Sequence, residues 1–354
     1  MLYNRSKYPK GPDFQKARKI QKELSGCKTS FLAPPQSDPY SSMGIWESEP
    51  NIIDINDLSK FKPLEWRLKS GELRYFSEVQ TLCIYSNRWG FNGLPIIQGQ
   101  RGDVSFFINV NLIKDLPVNE TLFHNRVLAQ ETFRIFDLTF LQNLHKGRKS
   151  TPFDLTPSRW PSFLGPINFQ WVNQGGSDWL YFESQPLKDD LELINWSTPI
   201  TEKHLLSCQF YINRSSTNAG NAYRINQSVQ RENYLRLTQE IMNTFEIELT
   251  SNHKQKYKRT QSLLDANEKP ILTCTSKQID NAKHVLQSWS DLEFIDSKKN
   301  SEDDHKASIE EVTKFLEDRI QPKLMPNSYP AEEEIQISSR IPPKEIQKIL
   351  IGEE

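Results

Sequence analysis

The residues with types and spacing suited to chemistry fall into a few short clusters. Gly175-Gly176-Ser177-Asp178 offers a serine with an acid beside it. A nucleophilic serine needs a base and, in the nucleophile elbow, a strand-to-helix turn. Here the flanks read strand to strand and no histidine can be assigned, so a turn accounts for every residue. His204 and Cys208 lie four apart, a ligand pair if helical. The Leu-Leu-Ser-Cys-Gln-Phe pattern argues for a strand, and two ligands without two more do not hold zinc.

Glu183 and the run Asp189, Asp190 and Glu192 form the acidic cluster of the aromatic region. Paired carboxylates bind magnesium or work as acid and base. Pro186 and Lys188 instead place the run on an exposed loop, which makes Asp189, Asp190 and Glu192 the candidate contacts for a basic protein partner. The basic hexamer Lys254–Arg259 would suit a phosphate or nucleic-acid contact, or simply a solvated helix end. Gly99-Gln100-Arg101-Gly102 has the form of the KH-domain clamp, but that loop joins two helices, whereas a proline precedes it here and a strong strand follows. No catalytic residue, cofactor site or metal site is assigned from these clusters.

The elements that would position them come from two unlike stretches. From about Leu64 to Leu249 the chain is dense in aromatic and β-branched residues, and beyond that it is heavily charged. Alternation predicts strands at Val79–Tyr85, Val104–Val110 and His204–Ile212. Ile167–Val172 and Trp179–Glu183, separated by Asn173–Asp178, read as a hairpin. Leu82, Ile84, Phe106, Ile108, Trp171, Tyr181, Leu206 and Phe210 are the expected core. Phe133–Leu141 reads as strand by alternation and as helix by the preceding Leu128–Glu131, and both stay open. Leu235, Thr238, Met242, Phe245 and Leu249 recur at helical spacing.

Before Leu64, Pro12-Asp13 opens a helical pattern with Phe14, Ala17, Ile20 and Leu24 on one stripe and Gly26 as its stop. In the charged stretch, Ile279, Ala282, Leu286 and Trp289 mark one amphipathic helix. Ser308 with Glu311 three residues on is a capping box opening another, and a short helix is expected around Ile346–Leu350. The expected organisation is an extended N-terminal arm over 1–60, an aromatic-rich α+β core over 61–255 and a charged, peripheral helical segment over 256–354. The fold class is α+β, a largely antiparallel sheet packed with helices.

Size and charge bound the function. The chain has 354 residues and a formal charge of −1, so no global field favours nucleic acid or an anionic membrane. No run approaches the roughly 20 apolar residues of a membrane-spanning helix. Met1–Tyr8 lacks the apolar run of a signal peptide, and the four cysteines are isolated. A reducing, cytoplasmic setting follows as an expectation.

Trp179–Ser184, Pro186-Leu187, Trp196–Thr201 and His204–Leu206 together form a pattern that resembles uncharacterised bacterial proteins encoded beside secretion-system toxins, the immunity-type proteins. The resemblance covers about a tenth of the chain and implies an α+β protein, with no catalytic signature to carry over. The expected function is a protein–protein binding module, an immunity protein neutralising a bacterial toxin being its specific form. The alternatives are a hydrolase with a site assembled from scattered carboxylates, and an assembly component docking through its arm and tail. The balance leans away from an enzyme.

Overall fold

The computed structural model describes residues 4–37, 51–67, 73–94, 99–145, 163–187, 191–216, 219, 221–262, 276–288 and 307–320. Asp189, Asp190, Trp289 and the helix expected around Ile346–Leu350 lie outside them.

Alternating side chains build a seven-stranded antiparallel sheet. Its strands are β4 (Lys62–Arg67), β5 (Leu73–Asn92), β6 (Gln100–Ile113), β7 (Phe163–Gln174), β8 (Ser177–Pro186), β9 (Glu192–Pro199) and β10 (His204–Arg214). The order is β4-β5-β6-β10-β9-β8-β7, with β6 and β10 paired from Gly102↔Arg214 to Leu112↔His204. A smaller sheet, order β11-β2-β1-β3, joins β1 (Arg18–Leu24), β2 (Cys27–Ala33) and β3 (Ile52–Ile53) to β11 (Glu246–Glu248).

The helices are α1 (Asn4–Lys7), α2 (Asn125–His145), α3 (Ala222–Ser228), α4 (Glu232–Asn243), α5 (Ser251–Ser262), α6 (Ser276–Ser288) and α7 (Ile309–Arg319). Together the sheets and helices make an α+β protein. Among the described residues no helix is long and apolar enough to cross a membrane.

One face of the large sheet meets the small sheet. Phe31 of β2 lies edge-on to Phe106 and Tyr85 and stacks on Phe245 at 5.1 Å, and Phe106 stacks on Phe210 at 4.2 Å. Tyr234, Leu237, Ile241 and Met242 of α4 close the same core. Aromatic pairs in such geometry add to the area they bury. The other face carries α2, whose Phe133 and Phe136 lie against Phe182. A third core holds α6 and α7, with Leu286 and Leu316 packed against Leu164, Ile167 and Leu187.

Several sequence expectations change. The stripe from Phe14 to Leu24 is not a helix: β1 and β2 form a hairpin turning at Ser25 and Gly26. Cys27, Thr29, Phe31 and Ala33 alternate inward along β2, a period of two that outweighs the helical coincidence upstream. The segment expected as an arm therefore supplies Leu24, Cys27, Phe31, Ile53 and Ile55 to the main core. Phe133–Leu141 lies within helix α2. The stripe from Leu235 ends in α4, and Phe245–Leu249 crosses into β11 instead. Trp171 and Tyr181 are only half-buried, while Trp179 is fully enclosed. The Ser308–Glu311 capping box is present.

Candidate functional site: a closed ion cluster and an open basic cleft

Strand β8 carries functional groups at both ends, and the two ends differ. Period-two phasing puts Trp179, Tyr181 and Glu183 on one face of β8, and Glu192, Ile194 and Trp196 on the matching face of β9. Glu192 thus points inward and is 1% exposed. The expectation that it belongs to a solvated acidic loop fails, because the strand begins at Glu192 itself. Asp189 and Asp190, its expected companions, are outside the described residues, so the structure does not bring the three together.

Three arginines meet these two carboxylates. The Glu183 carboxylate accepts from Arg231 at 2.6 Å, lies 2.6 Å from an Arg319 nitrogen, and accepts from the Tyr181 hydroxyl at 2.5 Å. Glu192 accepts from Arg319 at 2.8 Å and from Arg231, with Arg214 at 3.7 Å. Arg319 also donates to Gln185 at 2.8 Å, and its carbonyl accepts from Asn168 at 3.0 Å. Arg214 donates onward to Asn226 and to the Val229 carbonyl.

Burial alone would raise the Glu183 carboxyl, but Arg319 and Arg231 outweigh it and hold it well below the usual carboxylate range. Burial lowers Arg214 to about 10 against the pull of Glu192. A carboxylate so neutralised is a poor proton donor. Sequence reasoning missed the arginines: Arg214 shares the inward phase of Cys208 and Phe210, but Arg231 and Arg319 arrive from distant helices.

At the opposite end of β8, Gly175 and Gly176 turn the β7–β8 hairpin at φ 59° and 84°. A Cβ on Gly175 would lie 1.8 Å from the Phe245 carbonyl oxygen, so the turn needs glycine. The Gly175 carbonyl accepts from the Ile247 amide at 3.0 Å, joining the two sheets. Ser177 sits in this sheet-to-sheet joint and not in a nucleophile elbow.

Helix α5 lies across the joint. It has no buried residue, so what holds it is specific: the Tyr257 hydroxyl donates to Asp178 at 2.6 Å, its ring meets Phe123 edge-on at 5.7 Å, and Gln261 donates to the Phe123 carbonyl at 2.7 Å. Between α5, β11 and the β8–β9 pair opens a cleft of about 200 Å³. Ile247, Leu249 and Pro199 give its lining an apolar part, while Ser177, Glu248, Lys254 and Lys258 give it a polar one. Lys254 and Lys258, one turn apart, are exposed and make no ion pair among the described residues. Lys256, on another face, pairs with Glu202 at 2.7 Å. Ser177 is 6% exposed, and its hydroxyl makes no hydrogen bond among the described residues.

The remaining sequence motifs resolve into structure. His204 and Cys208 lie four apart on β10 with both side chains buried, and the His204 ring is held by Thr201 at 2.8 Å. Burial lowers His204 to about 4. Of Gly99–Gly102, the last three residues open strand β6, so the motif joins no helices. Gly102 is required there, since a Cβ would lie 2.1 Å from the Asn213 carbonyl oxygen. Among the described residues no three His, Cys, Asp or Glu side chains group as metal ligands.

On the α2 face, Thr81, Asn111, Ser207, Ser197 and Asn195 pass hydrogen bonds across four strands. The cavity beside this ladder has about 10 Å³, room for one water.

No family model, no curated protein and no solved structure matches this chain.

Proposed function

We propose that the chain is a protein-binding module that contacts its partner through the cleft beneath α5 and the basic face above it. The observation that carries this reading is the pair Lys254 and Lys258, exposed and without an ion pair among the described residues, beside a cleft with an apolar lining. Cations that are already solvated and free of partners cost little to bring to an acidic surface, and they steer encounter. The contact face moves from the acidic run, where Glu192 is locked inside, to the basic one. The partner then presents an acidic patch.

The resemblance to immunity-type proteins supports a toxin as that partner, met in a bacterial cytoplasm. The hydrolase reading loses support, because Glu183 is held ionised by Arg319 and Arg231 and cannot serve as a general acid near neutral pH. The test is affinity capture of the full chain from its native cell, with cross-linking and mass spectrometry. A stoichiometric protein cross-linked through Lys254 or Lys258 is the expected result. Capture of no protein at all, or cross-links confined to faces away from α5, would refute the reading.

A further inference from the structure

We infer that the α5 cleft is a seat for a carboxylate standing next to an apolar side chain, presented by the partner. The inference rests on the protein-binding reading and names what the seat recognises. Three features of the cleft carry it. Lys254 and Lys258 supply charge from two neighbouring turns of one helix face. Ser177 supplies a donor that is 6% exposed, lines the cleft, and has no partner among the described residues. The hydroxyl is therefore available to a ligand oxygen that enters the cleft.

The two other hydroxyls at the seat are engaged. The Thr198 hydroxyl donates to the Asp178 carbonyl at 2.9 Å, and the Tyr257 hydroxyl donates to the Asp178 carboxylate. Ile247, Leu249 and Pro199 leave apolar lining that a bare anion would waste. A volume of about 200 Å³ admits one carboxyl group together with one aliphatic side chain. Glu248 also lines the cleft, so the two lysines face one carboxylate of the protein itself. That limits the seat to singly charged groups and disfavours a phosphate, whose second charge Glu248 would oppose.

A carboxylate of this kind comes from an acidic side chain or from a chain terminus. Both are tested by calorimetric titration of the full chain at low salt. The probes are acetyl-Gly-Glu-Leu-Gly-amide, acetyl-Gly-Gly-Leu with a free carboxyl end, and acetyl-Gly-Gln-Leu-Gly-amide as the neutral control. At least one carboxylate probe is expected to bind and the control to fail, and the probe that binds names the source.

Lys254→Glu with Lys258→Glu should weaken that probe by more than about tenfold. Ser177→Ala should weaken it about two- to tenfold. Glu248→Gln should strengthen it, an effect of opposite sign that unfolding cannot imitate. Lys256→Glu, off the cleft, should leave it unchanged. Equal affinity of the wild type and the doubly reversed variant would overturn the inference. So would equal displacement by inorganic phosphate or acetate, or failure of both carboxylate probes at millimolar concentration.

The two readings fail separately. A partner captured equally by the wild type and the doubly reversed variant overturns the seat and leaves the binding module standing. Capture of no protein by the wild type overturns the module, and the titrations then decide the seat's chemistry alone.

Discussion

The two ends of β8 use positive charge in opposite ways. At the Glu183 end, guanidinium groups face carboxylates that are 9% exposed or less, and each ion is held by several partners. At the Ser177 end, two exposed ammonium groups without an ion pair among the described residues stand beside an open cleft. Planar, multidentate arginine suits the first setting and the mobile, hydrated lysine the second. Taking ions out of water is costly, so removing one member of the buried cluster leaves an opposite charge uncompensated. The exposed lysines carry no such debt. On the proposed reading, density of charge does not mark the contact surface; charge without an ion pair among the described residues does.

The largest expected effect breaks the closed end. Arg319→Ala removes a cation shared by Glu183, Glu192 and Gln185, and should cost about 3–5 kcal/mol in urea unfolding. A midpoint unchanged from wild type would show that the cluster tolerates an open position, and the contrast would collapse.

Acid sharpens the same comparison. Glu183 has a folded pKa below its unfolded one, so its contribution is complete above the ordinary carboxylate range and is lost progressively as pH falls from that range toward the lower folded value. His204 also titrates lower in the fold, from 6.5 to about 4. The unfolded chain thus takes up its proton first, and about 3 kcal/mol should be lost between pH 6.5 and 4. His204→Gln should flatten that limb of a stability-versus-pH curve and leave the more acidic limb in place. An unaltered curve would remove His204 as the cause.

At the open end, effects on stability should be small. Lys254→Glu with Lys258→Glu should move unfolding by less than about 0.5 kcal/mol per site while changing ligand binding. A large loss of stability would mean that the lysines hold α5 in place. Lys256→Glu, which breaks one exposed pair with Glu202, should likewise cost no more than about 0.5 kcal/mol by thermal melting.

Much of this architecture was legible in the chain because alternation survives burial. Phe106 and Ile108 on β6, and Leu206 and Phe210 on β10, announced the central strands. Ser308 and Glu311 announced the start of α7, since a cap is a local device. The small sheet was misread for a physical reason: Ile20 and Leu24 satisfy helical and strand phasing alike over so short a run, and long lysines such as Lys22 bury their stems where polarity suggests solvent. Half of the ion cluster was legible too, had the phase of Trp179 and Tyr181 been followed to Glu183, or that of Trp196 and Ile194 back to Glu192. Its other half was not, because nothing local links Arg231 or Arg319 to β8. The cleft needed three dimensions: Lys254 and Lys258 share a helix face by spacing, but only the fold brings Ser177 to them.

The place of Arg319 in the chain has a consequence for how the protein is made. Domains generally fold from the N-terminus as synthesis proceeds. The ribosome delivers Glu183 and Glu192 long before the helix that supplies their last counter-ion. Until α7 emerges, the inward carboxylates of β8 and β9 have Arg231 and Arg214 but lack Arg319. Helix α7 therefore completes the cluster late in synthesis: a chain ending before Ile309 holds Glu183 and Glu192 without the cation that bridges them.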